Sequence, residues 1–250
     1  MSEVKEIKSG LKDLDDKYKK DIDNIEKQFS SFWFTKKISD KLLKTINNHR
    51  NLQEPQVFWN WLINLYSSTI TLEICKLIDK DKHNQNCGSL MELLESLKES
   101  KFLTEENFLN FYKANRIKIT YHDERAREWD IKTLDDRVRK GYKETINENN
   151  SKNSNEMIEK DIETLKQSTK RIKEYRDTVI AHFDKKSLNE EYIKSFEFST
   201  EQIDEIYLLI ETLIQKYYYL IYPGTHLAPY DKAINNNNYG FNKILKTEEV

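Results

Sequence analysis

Glycine and proline are scarce in this chain, with five and three among 250 residues. Tight hairpins and Gly-rich phosphate loops draw on those residues, so a β-sandwich, a barrel or a Rossmann sheet lacks its connecting material. Cysteine is scarcer still. Cys75 sits in an apolar run and Cys87 in a polar one, without CxxC spacing, which excludes a disulfide scaffold and points to the cytoplasm. No stretch approaches the roughly 20 apolar residues that span a bilayer. The opening MSEVKEIKSGLKDLDDKYKK has no signal-like apolar core, so a soluble, unexported protein without a membrane partner is expected. An excess of one charge is also missing. The 41 Lys and Arg against 43 Asp and Glu give a net charge of −2, which confines any nucleic-acid contact to a local basic site. Walker A, G-x-S-x-G and H-E-x-x-H patterns do not occur, and the parts for nucleotide hydrolysis, serine hydrolysis and zincin chemistry are lacking. No cofactor is implied.

What is present is helical periodicity. Leu11, Leu14, Tyr18, Ile22, Ile25 and Phe29 recur at steps of three and four, and the pattern resumes from Phe32 to Ile46 after an expected bend at Ser30 and Ser31, giving two helices between Val4 and about Asn48. Pro55 can open the next helix, whose stripe from Phe58 through Tyr66 and Ile74 to Ile78 reads as more buried than the helices before it. A polar loop, DKDKHNQNCG, follows. Ser89 with Glu92 forms a capping box for the helix Leu90 to Leu97, and Leu103 and Phe108 staple a helix beginning at Thr104.

Arg116 to Tyr121 alternates in hydrophobicity but has no partner strand, and an irregular connector is expected. A charged helix from about Asp123 to Ile146 leads into NENNSKNSN, whose composition marks a nickable loop. Asn153 or Ser154 caps a helix to about Phe183. Ser199 and Gln202 form a second capping box, with Phe198 and Ile203 as its staple, and that helix stops before Pro223 and Gly224. The expected architecture is all-α, with long antiparallel helices and no significant sheet. Residues 1–225 read as one domain and 226–250 as a tail or docking arm.

One residue breaks this pattern. The seam Ile158, Ile162, Leu165, Thr169 and Ile172 reaches Arg176 before Val179 and Phe183. A buried guanidinium needs a partner, a wet cleft or an interface. The adjacent Asp177 is one candidate, although neighbours on a helix do not face each other. His182 follows six residues on, about 120° around an ideal α-helix. Two readings remain open from the residues alone: an Arg and a His bordering a cleft that handles a phosphodiester, doubled by a two-fold axis, or a structural ion pair with a His at a helix end.

The stretch YRDTVIAHFDKK, Tyr175 to Lys186, resembles the R-x(4–6)-H signature of HEPN domains, with five residues between Arg176 and His182. The run FWNWLINLYSSTITLEICKLIDKDK, Phe58 to Lys82, with the SLMELLESL helix after it, is similar to the AbiU-type branch linked to abortive-infection phage resistance. The likeness extends over roughly residues 10 to 222. It implies a helical bundle that forms a homodimer with both Arg–His pairs lining a cleft, and a metal-independent endoribonuclease acting as a defence effector or toxin on RNA. By position, His182 would serve as general base or acid, Arg176 would stabilise charge on the phosphoryl oxygens and Asp177 would orient Arg176. Other members have lost catalysis. The alternative is therefore a non-catalytic helical dimer that binds RNA or a partner protein, including a regulatory or antitoxin-like subunit beside a nucleotidyltransferase.

Three other constellations yield less. Arg125, Arg127, Arg137 and Arg139 could guide an RNA backbone, with Arg137 and Arg139 the RNA-binding candidates, but interleaved acids favour a self-paired solvated helix. His83 and Cys87 lack a second half-site, so no metal site is read there. Tyr217, Tyr218, Tyr219 and Tyr222, with Trp59 and Trp61, could stack bases but stand at core and interface spacing.

Overall fold

A computed structural model describes residues 2–48, 56–80, 88–120, 131–147, 150–180 and 198–222. Among them stand seven helices and no strand: α1 (Ser2–Asn48), α2 (Gln56–Ile78), α3 (Leu90–Ser100), α4 (Glu105–Thr120), α5 (Ile131–Asn147), α6 (Ser154–Tyr175) and α7 (Thr200–Ile221). A π-helical turn, Arg176–Ile180, continues α6. No described helix is long and apolar enough to cross a membrane. The expected tail 226–250 lies outside the described residues.

The helix ends follow local chemistry. The Ser89 hydroxyl accepts from the Glu92 backbone N–H while the Glu92 carboxylate accepts from Ser89 N–H. Ser199 and Gln202 make the same reciprocal pair. Asn153 Oδ1 caps α6 by accepting from Glu156 N–H at 2.9 Å, and Thr104 Oγ1 accepts from Asn107 N–H at 3.1 Å. Leu103 and Phe108 are both buried, as a staple requires.

α1 and α7 run antiparallel. Tyr222 Oη reaches Asp23 at one end, Phe29 and Phe32 pack on Tyr207 in the middle, and Lys36 pairs with Asp204 at the other end. α6 lies against α2, α3 and α7. The core joins Tyr18, Ile22, Ile25 and Phe29 of α1 to Ile74, Leu77 and Ile78 of α2, Leu165 and Ile172 of α6, and Ile210, Ile214 and Tyr217 of α7. Burying each such side chain contributes about 1.5–3 kcal/mol against the entropy of ordering the chain.

The structure corrects three sequence expectations. α1 is unbroken at Ser30 and Ser31, because Phe29, Phe32, Trp33, Lys36 and Ser39 stay buried in one continuous register and nothing there favours a new helix start. The stretch Arg116 to Thr120 is helical and closes α4. Without a partner strand, its backbone groups are satisfied only by a helix. α5 is described from Ile131 onward, and the expected start near Asp123 lies outside the described residues.

The third correction concerns α2, whose described side chains are fully buried only from Ile70 onward. Phe58, Trp61, Leu65 and Leu72 are exposed, Trp61 by 58 %. The helix carries apolar residues on more than one side, and its packing against α1, α3 and α6 covers only one of them.

Candidate functional site at the end of α6

The seam of α6 is buried through Ile172 and then changes character. Arg176 N–H donates to the carbonyls of both Ile172 and Lys173, and the backbone widens into the π turn. Such turns insert i→i+5 bonds and shift the register of whatever follows. Arg176 itself still bonds Ile172 one α-turn back and so stays in phase with the seam, but its side chain is 24 % exposed, and Val179 inside the π turn is only half-buried. The 120° separation expected on an ideal α-helix does not apply across this turn. His182 itself lies outside the described residues, as do His49, His83, His122, His226 and Cys87.

The Arg176 guanidinium is held by two carboxylates. Nε and Nη2 donate to Asp177 Oδ1 at 2.8 and 2.7 Å, and Nη1 pairs with Asp79 Oδ2. The flexible arginine stem reaches back to its sequence neighbour even though their Cβ vectors diverge. Asp79 stands one residue beyond α2, its N–H donating to Cys75 O at 2.8 Å. Its other oxygen accepts from Lys173 Nζ at 3.1 Å, and Lys173 also reaches the Ile78 carbonyl at 3.4 Å.

Two cations and two carboxylates thus share the junction of α2 with the π turn. Burial pulls the Lys173 ammonium below the usual lysine value, opposed in part by Asp177 and Glu95. The buried Cys75 thiol is pushed up by desolvation, against the pull of Arg176 and Lys173.

Beside this junction Tyr175 hydrogen-bonds Ser68 of α2 and meets Phe198 edge-on at 5.7 Å. It also lines a groove of about 350 Å³ together with Lys36, Ser39, Tyr66, Ser67 and Thr71. Among the described residues no three His, Cys, Asp or Glu side chains gather as a metal site.

A family model described as AbiU2, of the HEPN group, matches residues 6–239. The chain belongs to the AbiU2 family of HEPN proteins. No curated protein and no solved structure matches it. In this AbiU2 chain the structure brings Arg176 and Asp177 together. It ties Arg139 to a different part of the bundle, where Nη1 bonds Glu105 of α4 at 2.6 Å; Arg137 is exposed on the same helix. Tyr217 is a core residue, Tyr219 packs on Phe108 and Tyr222 on Tyr218, whereas Trp61 faces outward.

Sequence reasoning weighed Asp79 only beside His83 and Cys87 as a metal ligand, and missed its link to Arg176 and Lys173. The signal for Asp79 was a carboxylate at a helix C-terminus, where a cation is the usual choice. It also missed the ion pair of Asp161 with Lys216, side chains 4 % and 6 % exposed, into which Tyr217 Oη donates at 2.8 Å. Asp161 lies between the apolar residues Ile158 and Ile162, and nothing local announces its partner on α7.

Proposed function

We propose that the chain is a metal-independent endoribonuclease of the HEPN type, acting as a phage-defence effector or toxin in the cytoplasm, with Arg176 and His182 as its reactive pair and residues 1–225 as its single domain. The observation that carries this reading is the placement of Arg176. The seam position that should be apolar holds a guanidinium, the helix changes pitch at that residue, and Asp177 fixes the guanidinium while leaving it part exposed. The sequence carries the other half of the R-x(4–6)-H pattern, with His182 six residues on, in a chain that belongs to a HEPN family.

In this reading a ribose 2′-oxygen attacks the adjacent phosphorus and the bond to the 5′-oxygen breaks. His182 removes the 2′-OH proton as base, its counterpart across a two-fold axis protonates the leaving 5′-oxygen, and Arg176 stabilises the charge gathering on the non-bridging oxygens. The exposed stripe Phe58, Trp61, Leu65 and Leu72 supports a homodimer, since a second copy would cover it. Products should end in 2′,3′-cyclic phosphate and 5′-hydroxyl, and a DNA of the same sequence should stay intact. Equal cutting of DNA would refute the mechanism.

A second reading has an observation of its own. Asp79 and Asp177 together answer the Arg176 charge, as they would in a scaffold, which favours a non-catalytic dimer binding RNA, an antitoxin or another defence-system protein. Arg137 and Arg139 belong to either reading only as peripheral RNA contacts.

A further inference from the structure

We propose that Asp79 is a resident competitor for the phosphate that Arg176 would bind, so that the site is held shut by an internal carboxylate; this rests on the RNA reading above. Three observations carry it. Asp79 takes Nη1, the one guanidinium nitrogen that Asp177 leaves free, and so stands on the contact a phosphoryl oxygen would need. Its second oxygen holds Lys173, the other cation of the junction, so one carboxylate occupies both groups that could neutralise a phosphodiester.

The third observation is electrostatic. Lys173 and Arg176 carry two positive charges and Asp79 and Asp177 two negative ones, so the junction as folded is neutral and offers an approaching anion no net attraction. A carboxylate at the negative end of α2 is moreover against the helix dipole, and only the two cations make the place favourable. Asp79 is therefore held by Arg176 and Lys173, and needs little to be displaced once a phosphate competes for them.

Removing the Asp79 charge leaves the junction at net +1 without touching Arg176 or Asp177. The test uses the full chain and an RNA 12-mer that is 2′-O-methylated throughout, so that it cannot be cleaved, with binding read by fluorescence anisotropy across a salt series. Asp79→Asn should bind this RNA about fivefold more tightly at 0.1 M salt, and the slope of log K against log salt should steepen by about 0.7, the value for one further phosphate neutralised on a single strand. Asp79→Glu, which keeps the charge, should bind like the original protein. It also serves if the Asn variant does not fold, because Lys173→Met then completes the comparison: with Asp79 left wholly to Arg176, affinity should fall and the slope flatten.

RNA binding of equal strength and slope in all these proteins overturns the competitor role and leaves the RNA reading standing. Loss of binding in Asp79→Asn also overturns it, making Asp79 a positioning residue. No binding by any of them overturns the RNA reading and the competitor with it.

Discussion

Arg176, at the first position of the π turn, and Asp79, just past the end of α2, form an ion pair that ties the two helices together at their ends. Both side chains are about one quarter exposed, so water screens the pair and Asp79 keeps Lys173 when Arg176 is removed. Arg176→Ala should therefore cost less than about 1 kcal/mol of stability, by urea unfolding. Its effect on RNA cleavage should be far larger, a loss of about a hundredfold or more, because a preorganised cation facing developing charge is worth more than a screened surface pair. A variant that unfolds in proportion to its lost activity would place Arg176 in the scaffold.

Asp161, Lys216 and Tyr217 are the opposite case, buried and mutually satisfied. Asp161→Ala leaves the Lys216 ammonium without its partner and should destabilise by about 3–5 kcal/mol, seen as a lower urea midpoint with an unchanged m-value. Replacing Asp161 and Lys216 together by Leu, with Tyr217→Phe so that no buried hydroxyl loses its acceptor, should restore most of that loss.

Tyr217 also gives the protein an alkaline limit. Burial first, and the Asp161 charge second, raise its phenol well above the usual tyrosine value of 10.0. The folded state therefore holds a proton that the unfolded chain gives up. The stabilisation is fully present below pH 10 and is lost as pH rises above it. Tyr217→Phe should be less stable at pH 7, by about 1–3 kcal/mol for the Asp161 acceptor left short of a donor. Between pH 10 and 11 it should lose stability less steeply than the original protein, measured by urea midpoints across that range.

The outward stripe of α2 predicts a mass. Phe58, Leu65 and Leu72 recur every seven residues with Trp61 between them, a spacing that keeps one helix side within about 20° per heptad. Trp61→Glu combined with Leu65→Glu should convert a dimer to a monomer by light scattering without changing helical content. A monomeric original protein would remove the shared-cleft arrangement.

What was legible in the sequence was mostly local. The capping boxes at Ser89 and Ser199 were readable because donor and acceptor lie three residues apart. The α6 seam was readable because five buried positions precede Arg176 in phase. The breaks expected at Ser30 and at Arg116 failed because two serines, or a few alternating residues, do not outweigh helical hydrogen bonds already in register. α2 was misjudged because a stripe shows which residues are apolar and not which side finds a neighbour. Asp79, Lys173 and the Asp161–Lys216 pair were illegible for one reason: each acquires its meaning from a helix far away in sequence. The π turn left no mark in the spacing, and Arg176, which opens it, is part exposed where the pattern assigned a core position.

The most direct test of the central claim is cleavage of mixed cellular RNA by the purified full chain in excess EDTA, beside His182→Ala, with fragment ends analysed. The expected result is cutting by the original protein alone, leaving 2′,3′-cyclic phosphate ends. Cutting that persists in His182→Ala, or that stops when EDTA is added, would contradict it.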